Sequence, residues 1–330
     1  STYTQKGSAV KGSGSYNLHG QEACSNADGS RVLVLDGNDG VIVFDYNGTD
    51  WVEIDSSSDV TTNVGLKWNR PYGHRLLCSN DLSVAMQIDE APTSDAQNHW
   101  FTRYSIASSG TISPTYSRTY TFAASASLDT DASYHLSCDG TYLAVGTGHD
   151  ENTDTPAAIV LKWDGTSYNL HGSIISGASL SVSVSCDGDT LAIYRAQGSL
   201  VQIYTYSSNS YTQTYDVPIP AQPSGATNEQ RSNWDGWYHS HLMDMSDSGN
   251  IIAVSDYVGG STKTYVHVFK FDNGAYTAMG QAINIVLYNP NPNPVSSAVI
   301  NVDLTPDGLT LATSGYNRAQ VLTFDASTSQ

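Results

Sequence analysis

Positive charge is scarce in this sequence. The 330 residues include only 14 Lys and Arg against 32 Asp and Glu, so the formal net charge is −18. A surface that binds phosphate groups needs clustered cations. The composition therefore argues against nucleic acid and anionic membranes as partners, and it leaves calcium ions and cationic surfaces as candidates.

Long apolar runs are missing as well. No run approaches the ~20 residues that a membrane-spanning helix needs. The chain starts at Ser1 without a visible signal peptide, so we expect a mature, processed form. Abundant Ser and Thr, few Lys and the sequon Asn47-Gly48-Thr49 favour a secreted, extracellular or cell-surface glycoprotein, with Asn47 as the glycosylation site.

Sequence motifs of well-known enzyme classes are also absent. The chain contains no G-x-S-x-G, no P-loop, no H-E-x-x-H and no sialidase-type Asp box. It has no C-x-x-C or Cys/His spacing typical of structural zinc. These absences favour a protein that is not an enzyme. They do not exclude one, because the carboxylates of a glycosidase can come from separate parts of a chain.

What the sequence does contain is a repeated turn followed by an apolar run. The 21 Tyr and 28 Gly favour strands and turns over helices. Each turn is polar and holds Asp or Asn, usually with Gly, and successive turns are 48 to 60 residues apart. The six versions are CSNADGSRVLVLD (24–36), CSNDLSVAMQI (78–88), LSCDGTYLAVGTG (136–148), VSCDGDTLAIYR (184–195), MSDSGNIIAVS (245–255) and LTPDGLTLATS (304–314).

Two further strand-like runs follow each turn, so every repeat has the size of a four-stranded blade. We therefore predict an all-β fold, a single six-bladed β-propeller of antiparallel blades, with seven blades as the alternative. Residues 1–12 match the outermost strand and are predicted to complete the last blade, which closes the ring. The predicted blades are 13–60, 61–123, 124–177, 178–220, 221–286, and 287–330 together with 1–12.

The repeated residues also resemble known families. The S-x-D-G-x-x-L-A-V turn and strand is similar to WD-repeat, TolB-like and YVTN-type propellers. The ending G-x-x-[WY]-x-x-x-G resembles FG-GAP-like extracellular repeats. The resemblance implies a β-propeller architecture across the whole chain and no particular activity.

The four cysteines all lie at the same hairpin of the repeat. Their matched offsets in neighbouring blades predict the disulfides Cys24–Cys78 and Cys138–Cys186. The alternative is four small buried thiols.

Aromatic and histidine side chains recur where the chain enters each inner strand, and we predict that they ring the mouth of the central channel. Such rings stack on sugars or clamp peptides, or they fill gaps between blades. If the protein is an enzyme, His74, Asp235 and His241 are the acid–base candidates. The predicted ligand-binding residues are Trp68, Tyr72, His74, Tyr134, His135, Trp234, Asp235, Trp237, Tyr238 and His241.

The loops within blades are acidic. Asp36, Asn38 and Asp39 have the spacing of oxygen ligands for a hard cation, which makes them a calcium candidate. The pattern is incomplete, because no bidentate Glu follows at the right distance. A solvated acidic loop is the alternative.

Three functions compete at this point. The first is a non-enzymatic extracellular protein that binds a glycan or protein ligand, or that assembles with copies of itself into a coat or fibre. The second is a carbohydrate-active hydrolase or lyase that works at the channel mouth. The third is an intracellular scaffold of WD-repeat type, against which paired cysteines would argue.

Overall fold

The structure is a computed structural model whose described part is built of strands alone. The described residues form 25 strands in six small antiparallel sheets and no helix. The fold is a six-bladed β-propeller, which confirms the predicted class. The described residues are Ser8 and the ranges 22–36, 40–57, 74–90, 98–121, 133–146, 156–176, 181–195, 200–220, 242–257, 263–286, 301–315 and 318–325.

Within these residues no helix is long and apolar enough to cross a membrane. The chain divides into two compact units. The first comprises Ser1–Ser127, Cys138–Gly140 and Asp164–Ser167, and the second comprises Leu128–Ser137, Thr141–Trp163 and Tyr168–Gln330.

The first unit holds two four-stranded sheets, and in both the strands are paired in chain order. The strands of sheet 1 are β1 (Ala23–Ser25), β2 (Arg31–Asp36), β3 (Gly40–Tyr46) and β4 (Trp51–Ser56). The strands of sheet 2 are β5 (His74–Cys78), β6 (Val84–Glu90), β7 (Asn98–Ile106) and β8 (Ile112–Thr121).

The second unit holds the other four sheets. Sheet 3 contains β9 (Ser133–Leu136), β10 (Tyr142–Gly146), β11 (Pro156–Trp163), β12 (Tyr168–Leu170) and β13 (Ile175–Ser176). Sheet 4 contains β14 (Ser181–Val184), β15 (Thr190–Arg195), β16 (Leu200–Ser207) and β17 (Ser210–Pro218). Sheet 5 contains β18 (Met243–Met245), β19 (Ile251–Tyr257), β20 (Lys263–Asp272), β21 (Ala275–Ala278) and β22 (Ile283–Val286). Sheet 6 contains β23 (Asn301–Leu304), β24 (Thr310–Gly315) and β25 (Arg318–Thr323).

In sheets 3 and 5 the outermost strand is split in two. Both β12 and β13 pair with β11, and both β21 and β22 pair with β20. Sheet 6 has three strands among the described residues. The fourth strand predicted for it, residues 1–12, lies outside the described residues apart from Ser8, whose N–H donates to the Asp50 carboxylate at 2.7 Å.

The repeated turn has the same hydrogen-bonding pattern in sheets 2, 4 and 6. In sheet 4, Ser185 Oγ accepts the N–H of Thr190 at 2.9 Å and donates to the Asp187 carboxylate at 2.6 Å. Thr305 makes the same two bonds in sheet 6. The Ser-x-Asp-Gly spacing is therefore selected because one hydroxyl satisfies the first N–H of the next strand while the carboxylate holds that hydroxyl in place.

The hydrophobic core lies between successive sheets rather than inside any one of them. One buried cluster joins sheets 1 and 2 in the first unit. Three more join sheets 3 and 4, sheets 4 and 5, and sheets 5 and 6 in the second. In sheets 4 and 5 both faces meet such a cluster, and their second strands, β15 and β19, are therefore largely apolar runs.

Candidate functional site

The first strand of each sheet is its inner edge, the position that lines the axis in a propeller. In the second unit these inner strands carry polar residues two positions before the turn Ser or Thr. The residue paired with each of them in the next strand is alanine, which leaves room beside the polar group. The four pairs are His135 with Ala144, Ser183 with Ala192, Asp244 with Ala253, and Asp303 with Ala312.

Two of these polar side chains meet directly. His135 Nε2 lies 3.2 Å from Asp244 Oδ1, and their side chains are only 19% and 14% exposed. The other ring nitrogen, Nδ1, accepts the main-chain N–H of Val184 at 3.2 Å. A nitrogen that accepts a hydrogen bond carries no proton, so the proton of the neutral ring is on Nε2 and points at Asp244.

Asp244 is held by several donors. The N–H of Met245 reaches Oδ1 at 2.8 Å, and the N–H of Leu304 reaches Oδ2 at 2.7 Å. Ser183 Oγ lies 3.5 Å from Oδ1. Burial by itself raises the pKa of this carboxyl. The hydrogen bond from His135, with the two main-chain N–H groups, outweighs burial and holds the pKa of Asp244 below its usual value. Asp244 is therefore a carboxylate.

This geometry decides what the pair can do chemically. Both nitrogens of His135 are engaged, so the ring has no lone pair free to take a proton from a substrate. Ser183 is fully buried and bonds to Asp244 rather than to His135. The three residues are therefore not a nucleophilic Ser-His-Asp triad. The pair is a positioning device that fixes the inner strands of sheets 3, 4, 5 and 6 to one another.

A related contact exists in the first unit. The main-chain N–H of Leu76 on β5 donates to a carboxylate oxygen of Glu22, which directly precedes β1. A polar side chain on one inner strand thus holds the backbone of the inner strand of the next sheet, as Asp244 does with Leu304. In sheet 1 Asn26 takes the place of the turn serine, so the positions of the first unit that match Asp244 are Cys24 and Leu77.

The structure describes only some of the residues predicted from the sequence. His135 belongs to the polar row, whereas Tyr134 is 2% exposed and packs in the core. His74 is the first residue of β5, and Asp36 is the last residue of β2. The side chains of these two residues are not described. Trp68, Tyr72, Trp234, Asp235, Trp237, Tyr238, His241, Asn38 and Asp39 lie outside the described residues.

Asn47 lies on an exposed turn between β3 and β4. Its Oδ1 accepts the N–H groups of Thr49 and Asp50, both at 2.9 Å. The sequon is therefore at the surface, as glycosylation would require.

All four cysteines are disulfide-bonded. Cys24 and Cys78 form one disulfide, with Cα atoms 6.3 Å apart. Cys138 and Cys186 are disulfide-bonded too, and no cysteine is free. The prediction of disulfides is confirmed, and the alternative of four buried thiols is wrong.

Asp244 was not among the residues predicted from the sequence. Its signal was present in the repeat, because aligning the six turns on their Ser or Thr puts Asp244 in the same column as His135. A single acidic residue between two buried methionines of β18 is the local clue. What the alignment lacks is the contact between sheets 3 and 5, which depends on how sheets stack.

The chain is similar in fold to several solved enzymes. No protein-family model and no curated protein matches it. Pseudomonas aeruginosa periplasmic gluconolactonase matches with a TM-score of 0.54 and 17% identity, over 89% of this chain and 78% of that chain. An oligogalacturonate lyase in complex with manganese matches with a TM-score of 0.51 and 11% identity, over 92% of this chain and 77% of that chain. Hydrazine synthase of Kuenenia stuttgartiensis matches with a TM-score of 0.50 and 12% identity, over 91% of this chain and 75% of that chain.

These comparisons correct the first functional prediction, that of a non-enzymatic binding or assembly protein. The solved structures named above are enzymes, so the findings favour the second prediction, a hydrolase or lyase. The prediction failed because it relied on missing sequence motifs, and a propeller can draw its reacting groups from loops of different blades without any local motif. The disulfides also argue against an intracellular scaffold, because cytosolic thiols stay reduced.

Proposed function

We propose that the protein is a carbohydrate-active enzyme, a hydrolase or a lyase, whose reacting groups lie where the chain enters the inner strands. The observation that carries the proposal is the polar row in the second unit, with Asp244 ionised beside His135. A buried carboxylate costs desolvation free energy, and Asp244 offsets that cost by holding the strands that follow the proposed reacting groups. Carboxylates with displaced pKa values concentrate at functional sites.

The acid–base groups proposed for the reaction are His74, Asp235 and His241. His241 and Asp235 belong to the segment that leads into β18, the strand that carries Asp244. Because Asp244 is bonded through its own backbone neighbour and the backbone of β23, that strand is held firmly. A rigid strand is what a proton-transferring residue at its start needs.

The proposed substrate contacts are aromatic. Trp68, Tyr72, Trp234, Trp237 and Tyr238 would stack on sugar rings, as large flat side chains do in binding loops. The first compounds to test are a sugar lactone and an oligogalacturonate, since the names of two proteins with this fold specify them.

The test is an activity panel with matched variants. Purified protein is incubated with glucono-lactone, oligogalacturonate and a set of neutral polysaccharides. Acid release, unsaturated products and new reducing ends are followed against the uncatalysed rate. We expect turnover of at least one compound, and a loss of about 10²–10⁴-fold in H74A, D235A or H241A if that residue moves the proton. S207A, at the exposed end of β16, is the matched control.

Two results would overturn parts of this proposal. No turnover of any compound by the folded protein would remove the enzymatic function. Turnover that survives alanine at all three positions would keep the function and remove the assigned acid–base residues.

We also propose that the protein works outside the cytosol, as a secreted protein glycosylated at Asn47. The disulfides fit an oxidising compartment, and the sequon is on an exposed turn. Intact mass of protein from its natural source, before and after amidase removal of N-glycans, tests the modification. N47Q should abolish any mass change, and an unmodified wild-type mass would remove the assignment.

Calcium at Asp36, Asn38 and Asp39 stays a proposal of the same kind. Titration calorimetry with calcium, compared between wild type and D36N/D39N, tests it directly. Equal heats in both proteins would remove this site.

A further inference from the structure

An aromatic cluster joins sheets 3 and 4, and a histidine is part of it. The His171 ring stacks on Tyr206 with centroids 3.9 Å apart, and Tyr142 lies 5.1 Å away. The Tyr211 ring packs edge-on against His171, with ring centroids 6.0 Å apart. His171 and Tyr142 belong to sheet 3, whereas Tyr206 and Tyr211 lie on the β16–β17 hairpin of sheet 4. The cluster therefore holds the outer part of sheet 3 against sheet 4.

Two glycines let the tyrosines of the cluster pack closely, while His171 as a whole residue is partly buried. Gly172 has a φ of +82°, and a Cβ there would lie 2.9 Å from Cδ2 of Tyr211. The Tyr211 hydroxyl donates to the Gly188 carbonyl at 2.6 Å, and a Cβ at Gly188 would overlap the Tyr142 ring. His171 Nε2 is buried and has no hydrogen-bond partner. An imidazolium in this place would bury an N–H donor without an acceptor, which costs free energy.

The charges around the ring act in opposite directions. Lys162 Nζ lies 5.2 Å from the Tyr142 ring centroid and disfavours a second cation, whereas Asp189 favours one. Burial is the largest effect, and with Lys162 it holds the pKa of His171 below its usual value. The other titratable groups facing the cluster are the phenols of Tyr142, Tyr206 and Tyr211 and, near Tyr211, the carboxylate of Asp187.

The protein contains its own comparison for this arrangement. Between sheets 4 and 5, Tyr215 takes the place of His171. The centroid of its ring lies 5.3 Å from that of Phe271 and 6.0 Å from that of Tyr276. The Tyr276 hydroxyl donates to the Gly249 carbonyl at 2.7 Å, as Tyr211 does to Gly188. This second cluster has the same design with no imidazole among these rings.

We propose that His171 makes the contact between sheets 3 and 4 sensitive to acid. Protonation drives the ring from its stack on Tyr206 and frees the segment around β12 from the β16–β17 hairpin, while the cluster at Tyr215 stays closed. The direction of this pH dependence follows from the difference between the folded and unfolded pKa values of His171. The folded pKa is below the unfolded value of about 6.5, so the contact is complete above that pH and weakens as the pH falls towards the folded pKa.

Hydrogen–deuterium exchange tests the proposal on the full chain, with exchange times corrected for the intrinsic effect of pH. Peptides covering 168–176 and 204–213 are followed from above to below pH ~6.5. We expect the equilibrium constant for their opening to rise as the pH falls. The rise should be up to about tenfold for each pH unit between the unfolded and folded pKa values of His171. Peptides covering 213–217 and 269–278 should change much less.

Matched variants make the result decisive. H171F and H171Y should remove the acid response at sheets 3 and 4, and tyrosine is already tolerated at this position of the other cluster. Y215H should create a response between sheets 4 and 5. An equal acid response in wild type, H171F and H171Y would overturn the proposal, as would a wild type with none.

Discussion

Single residues in the second unit show how a polar group can be kept on an inner strand. Asp244 loses most of its contact with water, and it is compensated by two main-chain N–H groups and by His135. These partners lie on three different strands, β9, β18 and β23. Removing the carboxylate would therefore disturb several strands rather than one side chain.

D244N is expected to destabilise the protein. The amide cannot accept from His135, Met245 and Leu304 as the carboxylate does, so a donor is left unpaired in a buried place. We expect a loss of about 2–3 kcal/mol in the free energy of unfolding, measured by urea denaturation near neutral pH. D303N, at the exposed matching position, should change it by less than about 0.5 kcal/mol.

The same substitution has a pH signature. The pKa of Asp244 is lower in the folded protein, so its contribution is present above the unfolded value of about 3.9 and is lost as the pH falls through the folded value. Wild type and D244N should therefore converge in stability in acid. A constant difference between them down to the lowest pH at which both fold would show that the charge of Asp244 is not what matters.

At the scale of elements, the recurring unit is the turn between the first two strands of a sheet. In sheets 4, 5 and 6 the glycine of this turn meets the sheet that precedes it, as Gly188 of sheet 4 meets Tyr142 of sheet 3. Main-chain bonds between turns add to this contact, with the N–H of Cys186 donating to the Asp247 carbonyl at 2.8 Å and that of Asp247 to Pro306 at 3.0 Å. The turn is therefore also the place where neighbouring sheets are joined.

Two glycine substitutions separate these roles. G188A meets both a positive φ of +74° and the Tyr142 ring, whereas G274A has a φ of +85° with open space around it. We expect G274A to cost about 1–2 kcal/mol for backbone conformation alone, and G188A to cost about 1–3 kcal/mol more for overpacking. Thermal or urea unfolding of both variants gives the comparison. Equal losses would mean that the Tyr142 ring moves aside freely.

At the scale of the whole molecule, the chain has a low density of charge and relies on packed strands and disulfides. The disulfide Cys24–Cys78 has a sequence separation of 54 residues and joins β1 of sheet 1 to β5 of sheet 2. Both half-cystines pack against the buried cluster that these sheets share. The bond therefore reinforces a contact that the hydrophobic core already makes.

Removing this disulfide should be costly. For a closed loop of this length the chain-entropy model gives about 4 kcal/mol, and measured losses in other proteins range from about 2 to 5 kcal/mol. C24A/C78A should show such a loss in urea denaturation, and the reductant-treated wild type should show a larger one because Cys138 and Cys186 are also opened. Unchanged stability in C24A/C78A would mean that the core between sheets 1 and 2 suffices.

The sequence by itself determined the class of fold and predicted the disulfides, with buried thiols left as the alternative. The fold follows from a polar turn before an apolar strand, which repeats six times and needs no distant partner to be recognised. The four cysteines stand at four of these six turns. The candidate function was predicted only as the second choice, because the order of preference depended on motifs that a propeller does not require.

Only the tertiary structure decided which polar residues meet. His135 is separated from Asp244 by the whole of sheet 4 in the chain, yet the ring reaches the carboxylate beside the small Ser183. The stack of His171 on Tyr206 likewise joins two sheets through outer strands whose spacing no repeat reveals. A sequence pattern specifies what each strand buries, whereas the distance between sheets sets which side chains come into contact, and that distance is a property of the packed molecule.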